Sequence, residues 1–264
     1  MSEAKLYRLT NRAFIEVTGL DAVKFLQNLT TNDLDGDNTE FTYSALLSPQ
    51  GKYLFDFFIL KRSRNRLIVD ILATAAEKFM FRLKMYKLRS DVKIEEVKGW
   101  VGVGFSSKPV DAFIDPRCSK LGWRQYFLGT SSPREIPILN QHHFEKLRVS
   151  YCIPETEIEL VSNKTFILEA GFKRLSGVSF VKGCYIGQEV TARMHHKTTL
   201  QKGLAKVKIL GNIDANSNEI FFQNKVIGNL FTRSGDHAIA YLKFVNEKSL
   251  LNVGNAQVLV IERF

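Results

Sequence analysis

The stretch Ser176–Lys197, SGVSFVKGCYIGQEVTARMHHK, holds a denser set of reactive and polar groups than any other part of the chain. It contains a thiol (Cys184), three glycines (Gly177, Gly183, Gly187), the polar pair Gln188 and Glu189, and a basic and imidazole group of Lys182, Arg193, His195, His196 and Lys197. Gly183 directly precedes the cysteine and Gly187 follows it closely. Glycine at such places signals positive φ or close approach of another group to the backbone. The thiol is therefore expected on a tight, shaped loop rather than on a plain helix face.

Downstream of this stretch the texture is all-β. Gly203–Leu210, Glu219–Phe222, Lys225–Thr232, Ala238–Phe244 and Ala256–Ile261 read as short strands between polar turns, which suggests a small sandwich or barrel. Upstream, strands and helices mix. Tyr7–Val17, Phe41–Leu47, Tyr53–Lys61, Leu67–Leu72 and Lys93–Phe105 carry strand composition. Thr18 with Asp21, and Thr74 with Glu77, are capping-box patterns that predict a helix to Leu29 and a longer one to about Arg89. Ala76, Phe79, Met80, Leu83 and Tyr86 follow helical spacing in the second. Asp115-Pro116-Arg117 and Leu121–Arg124 read as a loop entering a strand. Asn140–Tyr151 reads as a helix that stops before Pro154. The fold class is α+β.

A chain of 264 residues can bury a large core and can divide into as many as three domains. No apolar run is long enough to span a membrane, and the first residues show no signal peptide, so no membrane partner is expected. Cys118, Cys152 and Cys184 are odd in number and far apart, which makes neither a disulfide framework nor a CxxC metal site. A reducing, cytoplasmic compartment is the simplest expectation. The net charge of +10 suits an anionic partner, yet the basic residues are scattered and no nucleic-acid signature is present.

Lys182–Glu189, KGCYIGQE, resembles the YgfZ family of folate-binding proteins, relatives of the glycine-cleavage aminomethyltransferase. Phe25–Asp33, Tyr43–Lys52, Asp115–Arg117 with Leu121-Gly122, and Gly177–Phe180 are also similar to that family, so the resemblance covers most of the chain. Glu189–Arg193 with the paired His195-His196 further resembles its mitochondrial iron–sulfur assembly branch. The resemblance implies an aminomethyltransferase-like folate-binding fold: mixed α+β domains in a ring-like arrangement, a C-terminal β-barrel, and tetrahydrofolate in a central channel. The implied division is residues 1–92, 93–199 and 200–264.

The same resemblance implies the site. Cys184 is the expected functional thiol, although a free cysteine is often simply core. Lys182 and Arg193 are candidates to favour its thiolate. A lone thiol cannot hold an iron–sulfur cluster, so further ligands must come from a partner, another subunit or a small thiol. Glu169, in Phe166–Gly171, is expected to accept the paired donors of a pterin, although Gly171 departs from the family pattern there. Lys182, Tyr185, Gln188 and Arg193 are further folate-binding candidates, and Arg193, Lys197 and Lys202 could neutralise folate's carboxylate tail. The aminomethyltransferases carry two adjacent acids where this chain reads Phe55-Asp56. Asp56 is thus a candidate catalytic acid without its neighbour, or else a strand-end carboxylate paired with Lys61 or Arg62. His195 and His196 would face opposite ways on a strand and share no metal. Asn32-Asp33 reads as a helix-ending turn.

These readings point to a tetrahydrofolate-binding protein that assists iron–sulfur cluster assembly or repair in client enzymes, with transient protein partners and no resident metal. The rival readings are a folate-dependent aminomethyltransferase and, supported by charge alone, a nucleic-acid accessory protein.

Overall fold

Two of the runs expected as single strands break in the middle, and those breaks set the architecture. The computed structural model describes residues 6–36, 40–131, 135–197, 199–214, 216–245 and 249–264. Tyr7–Val17 divides at the exposed pair Thr10-Asn11 into β1 (Leu6–Leu9) and β2 (Arg12–Thr18). After α1 (Ala22–Gln27) come β3 (Phe41–Leu47), β4 (Tyr53–Ser63), β5 (Arg66–Leu72) and α2 (Ala76–Lys87). Lys93–Phe105 then divides at Lys98 into β6 (Lys93–Val97) and β7 (Gly99–Gly104). β8 (Phe113–Ile114), β9 (Trp123–Leu128), α3 (Gln141–Tyr151) and α4 (Gln188–Lys197) follow.

β3-β4-β5-β2-β6 form one antiparallel sheet and β1-β7-β9-β8 a second, so the chain crosses between sheets at each break. Period-two alternation lets one sheet serve two cores. In β5, Leu67, Val69 and Ile71 face a core closed by α1 and α2, while Ile68 lies on the other face with Phe14, Leu60, Val101 and Tyr126 between the sheets. A third core joins Tyr43 and Phe58 to Phe172, Val178 and Tyr185 of the 153–187 segment and to Leu204 and Ile239 of the barrel. That segment contains no helix or strand and is built from turns and irregular loop.

The C-terminal strands close into a barrel in the order β10-β13-β12-β11-β14-β15. They are β10 (Lys202–Leu210), β11 (Glu219–Phe222), β12 (Lys225–Ser234), β13 (His237–Lys243), β14 (Leu250–Val253) and β15 (Ala256–Arg263). β14 lies outside the expected strands, because four residues are too few for the alternation of buried Leu251 and Val253 to stand out.

Neither expected capping box forms. Thr18 is the last residue of β2, and Asp21 turns its carboxylate to the backbone N–H of Asp91 (2.8 Å). Thr74 sits in a 3-10 turn and donates to Glu157 (3.3 Å). At α3 a side-chain cap is present, with Asn140 accepting from the His143 N–H (3.2 Å).

Candidate functional site

The loop before α4 is assembled around one buried ammonium. Lys182 Nζ donates to three backbone carbonyls, those of Gln27 (2.6 Å), Thr30 (2.7 Å) and Asn32 (2.9 Å). These carbonyls belong to the C-terminal end of α1 and the turn after it, where helix geometry leaves acceptors unfilled. Burial pushes Lys182 down to about 8, with Asp33 and Asp35 opposing, so it remains the charged donor at neutral pH. The same turn grips the loop with side chains. Thr31 donates to the Gly177 carbonyl (2.7 Å), Asn32 Nδ2 donates to the carbonyls of Ser176 (2.6 Å) and Tyr43 (2.9 Å), and Ser179 N–H donates to the Thr31 carbonyl (3.0 Å). Asn32 is therefore a brace for the motif and not only a helix-ending residue.

Two of the three motif glycines are required sterically. A Cβ on Gly177 would lie 2.6 Å from Phe172, and one on Gly187, which has φ +82°, would lie 2.6 Å from the Ser48 carbonyl oxygen. Gly183 differs: nothing lies within 4 Å of its Cβ position and its φ is not positive.

Cys184 is the exposed cysteine of the three. It lies in this irregular loop three residues before Gly187 and does not share the Lys182 ammonium, which points into the α1 end. Arg193 also turns elsewhere, pairing with Glu189 one helical turn away (3.0 Å), with both side chains exposed. The two cations expected to flank the thiol are thus engaged with other groups. Tyr185 packs in the third core, where burial pushes its hydroxyl up to about 12. Gln188 opens α4. His195 and His196 lie on this helix and not on a strand, so their rings are neighbours (centroids 4.6 Å) rather than opposed, and His195 stacks on Phe180 at 3.8 Å. The Lys197 side chain lies outside the described residues.

Glu169 is buried elsewhere. Its carboxylate accepts from Tyr241 Oη and lies 3.8 Å from Lys202 Nζ, while its carbonyl accepts the Leu204 N–H (2.8 Å). All three partners are barrel residues, so Glu169 joins the middle of the chain to the barrel.

Asp56 lies on the edge of a separate cavity of about 240 Å³. It pairs with neither Lys61 nor Arg62. Three hydroxyls cap it: Tyr43 (2.9 Å), Tyr53 (2.7 Å) and Thr156. Burial and then Asp56 push both tyrosines well above their ordinary value, so they are neutral donors. The cavity also shows Arg12, Arg117 and Arg124, stacked about the Phe58 ring at 5.8, 4.8 and 4.1 Å. Asp70 takes Arg12, Arg124 and Tyr126, while Asp115 takes Arg117 through two bonds and Arg124 through one. Burial alone would raise Asp115, but Arg117 and Arg124 hold it below the usual carboxylate range. A DPR turn followed by an arginine on the next strand is the sequence signal for this pairing.

The expected folate residues therefore do not converge. Glu169 faces the barrel, Lys182 the α1 turn, Tyr185 the core and Arg193 solvent, and none of them lines the cavity with Asp56. The cavity is smaller than the range of about 300–1,000 Å³ usual for sites that enclose ligands of that size. The residues present do not fit tetrahydrofolate as a bound group.

The mixed sheets and closed barrel define an aminomethyltransferase-like fold. The glycine cleavage system aminomethyltransferase T of Bartonella henselae matches with a TM-score of 0.66 over 98% of this chain and 85% of that one, at 13% identity, a likeness of fold alone. Residues 2–104 match the GCVT N-terminal domain family, and residues 201–262 match the CAF17 C-terminal beta-barrel domain. The chain is 30% identical over 242 residues to the mitochondrial iron–sulfur cluster assembly factor IBA57 of Mus musculus, covering 79% of this chain and 67% of that one. The homolog from Mycosarcoma maydis is 30% identical over 75% of this chain and 55% of its own length, and that from Neurospora crassa 29% over 75% and 52%. The chain belongs to the IBA57 family of iron–sulfur cluster assembly factors. It spans from about half to two thirds of the length of these relatives. All three are named as mitochondrial proteins, which overturns the expected cytoplasmic location. Unpaired cysteines report a reducing environment and cannot tell one such compartment from another.

Proposed function

We propose that the chain assists iron–sulfur cluster assembly in mitochondria, with Cys184 as the thiol that touches the cluster in transit. The contrast among the cysteines supports this reading most. Cys152 is buried, and burial pushes its thiol up to about 12; Cys118 is half-buried; Cys184 stands exposed on a braced loop. A thiol must be reachable to ligate a cluster carried by another protein. Among the described residues no three His, Cys, Asp or Glu side chains gather as a metal site. The cluster is then cargo whose other ligands come from an assembly or client protein. No step in this reading runs through folate. The three-part plan of residues 1–92, 93–199 and 200–264 is retained as the proposed domain division.

Anaerobic reconstitution of the purified chain with iron, sulfide and glutathione tests the role of the thiol. Wild type and Cys118→Ala should develop the visible absorption of a cluster, and Cys184→Ala should not. Equal cluster absorption in Cys184→Ala would remove the thiol from the proposal.

A further inference from the structure

The outer side of α2 and the two turns beside it form a surface that the site does not use. α2 buries Ala76, Phe79 and Leu83 against the first core. On its other side Phe81, Met85 and Leu88 follow at i, i+4 and i+7 and are 67%, 55% and 87% exposed. Leu20, 77% exposed, tips the turn ahead of α1. The two turns are fastened side by side. Asp21 N–H donates to the Asp91 carbonyl (3.3 Å), Asp91 N–H donates to the Asp21 carboxylate (2.8 Å), and a Cβ on Gly19 would lie 2.1 Å from the Asp91 carbonyl oxygen. Both leucines are therefore held out by rigid turns, and large apolar side chains are seldom left so without a partner surface.

Cations surround these four residues. Lys78, Arg82, Lys84, Lys87 and Arg89 lie on α2 and its end, and Lys24 lies one helical turn beyond Leu20. Among the described residues, none of the six makes a side-chain hydrogen bond or ion pair. The acids nearby in sequence are Asp21, Glu77 and Asp91, and the Asp21 carboxylate is already engaged by a backbone N–H. Apolar side chains that stand out from the surface, ringed by unpaired lysines and arginines, match the chemistry of a lipid headgroup interface: the apolar groups enter the acyl boundary and the cations meet phosphates.

We propose that this face docks the protein on the surface of an anionic bilayer, with Leu20, Phe81, Met85 and Leu88 entering the interface. Among the described residues no helix is long and apolar enough to cross a membrane. It is independent of Cys184 and leaves the motif loop free for a protein partner.

Flotation of the full chain with phosphatidylcholine vesicles, with and without about one third phosphatidylglycerol, tests the proposal. Wild type should float with the anionic vesicles and not with the neutral ones. The pair Leu20→Ser with Leu88→Ser, and separately Lys78→Glu with Lys84→Glu, should each lower partitioning about tenfold or more at an unchanged melting temperature. No flotation at low salt would overturn the proposal. So would binding that the serine pair leaves intact, because that is the mark of the diffuse +10 charge alone. Failure to float, joined to saturable binding of an acidic amphipathic peptide on the same face, would assign the face to a protein instead.

Discussion

The cavity around Asp56 and the loop around Cys184 are both organised by buried charge, and they leave different groups free. Behind the cavity wall, Asp70 and Asp115 absorb the lining residues Arg12, Arg117 and Arg124, and three hydroxyls cap Asp56. Charges there meet charges, and the result is a knot between the two sheets and the middle of the chain. At the loop, the one buried cation meets only neutral carbonyls, and the thiol it helps to position is left in solvent. The lesson is that a fold shared with an aminomethyltransferase can hold its charged residues paired in one region while a thiol stands exposed on a separate loop.

The largest effect should come from untying the knot. Asp70→Ala removes the carboxylate shared by Arg12, Arg124 and Tyr126, leaving Arg124 only its bond to Asp115, and is expected to cost about 3–5 kcal/mol in urea unfolding. A cost under about 1 kcal/mol would mean that the cavity is less charged inside than described. Lys182→Met leaves three carbonyls unfilled and should cost about 2–3 kcal/mol, with new protease cleavage within residues 176–187. Retention of a protease-resistant loop in that variant would show that Thr31 and Asn32 alone suffice to brace it.

The glycines sharpen the contrast within the loop itself. Gly187→Ala meets both a positive φ and the Ser48 carbonyl and should cost about 1–3 kcal/mol, whereas Gly183→Ala should stay within about 0.5 kcal/mol by thermal melting. Equal costs would contradict the account of which glycine shapes the loop.

A further effect, comparable with that of the loop substitutions, is one of pH. Because burial lowers Lys182 to about 8 from 10.5, the folded chain binds fewer protons than the unfolded chain between those values. Its contribution therefore stabilises progressively as pH rises from about 8 to 10.5. The buried tyrosines titrate nearby with the opposite sign, so the measurement is the difference between wild type and Lys182→Met, which should grow across that window.

Composition and spacing reached the α+β class, an all-β C-terminal sandwich or barrel and the turn-bound motif, because period-two runs, helical spacing and glycine placement are local properties. The division of Tyr7–Val17 and of Lys93–Phe105 between two sheets was not legible. Nothing in the alternation marks where a strand changes its partner sheet, and only the exposed Thr10-Asn11 hinted at it. The capping boxes failed because Asp21 and Thr74 found partners far away in sequence, at Asp91 and Glu157. Lys182 could be noticed as a charge beside the thiol, but its true acceptors lie some 150 residues upstream, so its role as brace was invisible. Asp70 is hidden in a similar way, 58 and 54 residues from Arg12 and Arg124, whereas Asp115 stands only two residues from Arg117 and nine from Arg124.

The most direct test of the central claim compares the two regions in one experiment. Cells lacking the chain would receive wild type, Cys184→Ala or Asp56→Asn, and a mitochondrial [4Fe–4S] enzyme would be assayed alongside the level of folded protein. Rescue by wild type and Asp56→Asn but not by Cys184→Ala is the predicted result. Rescue by Cys184→Ala with failure of a well-folded Asp56→Asn would place the chemistry in the cavity and contradict the account.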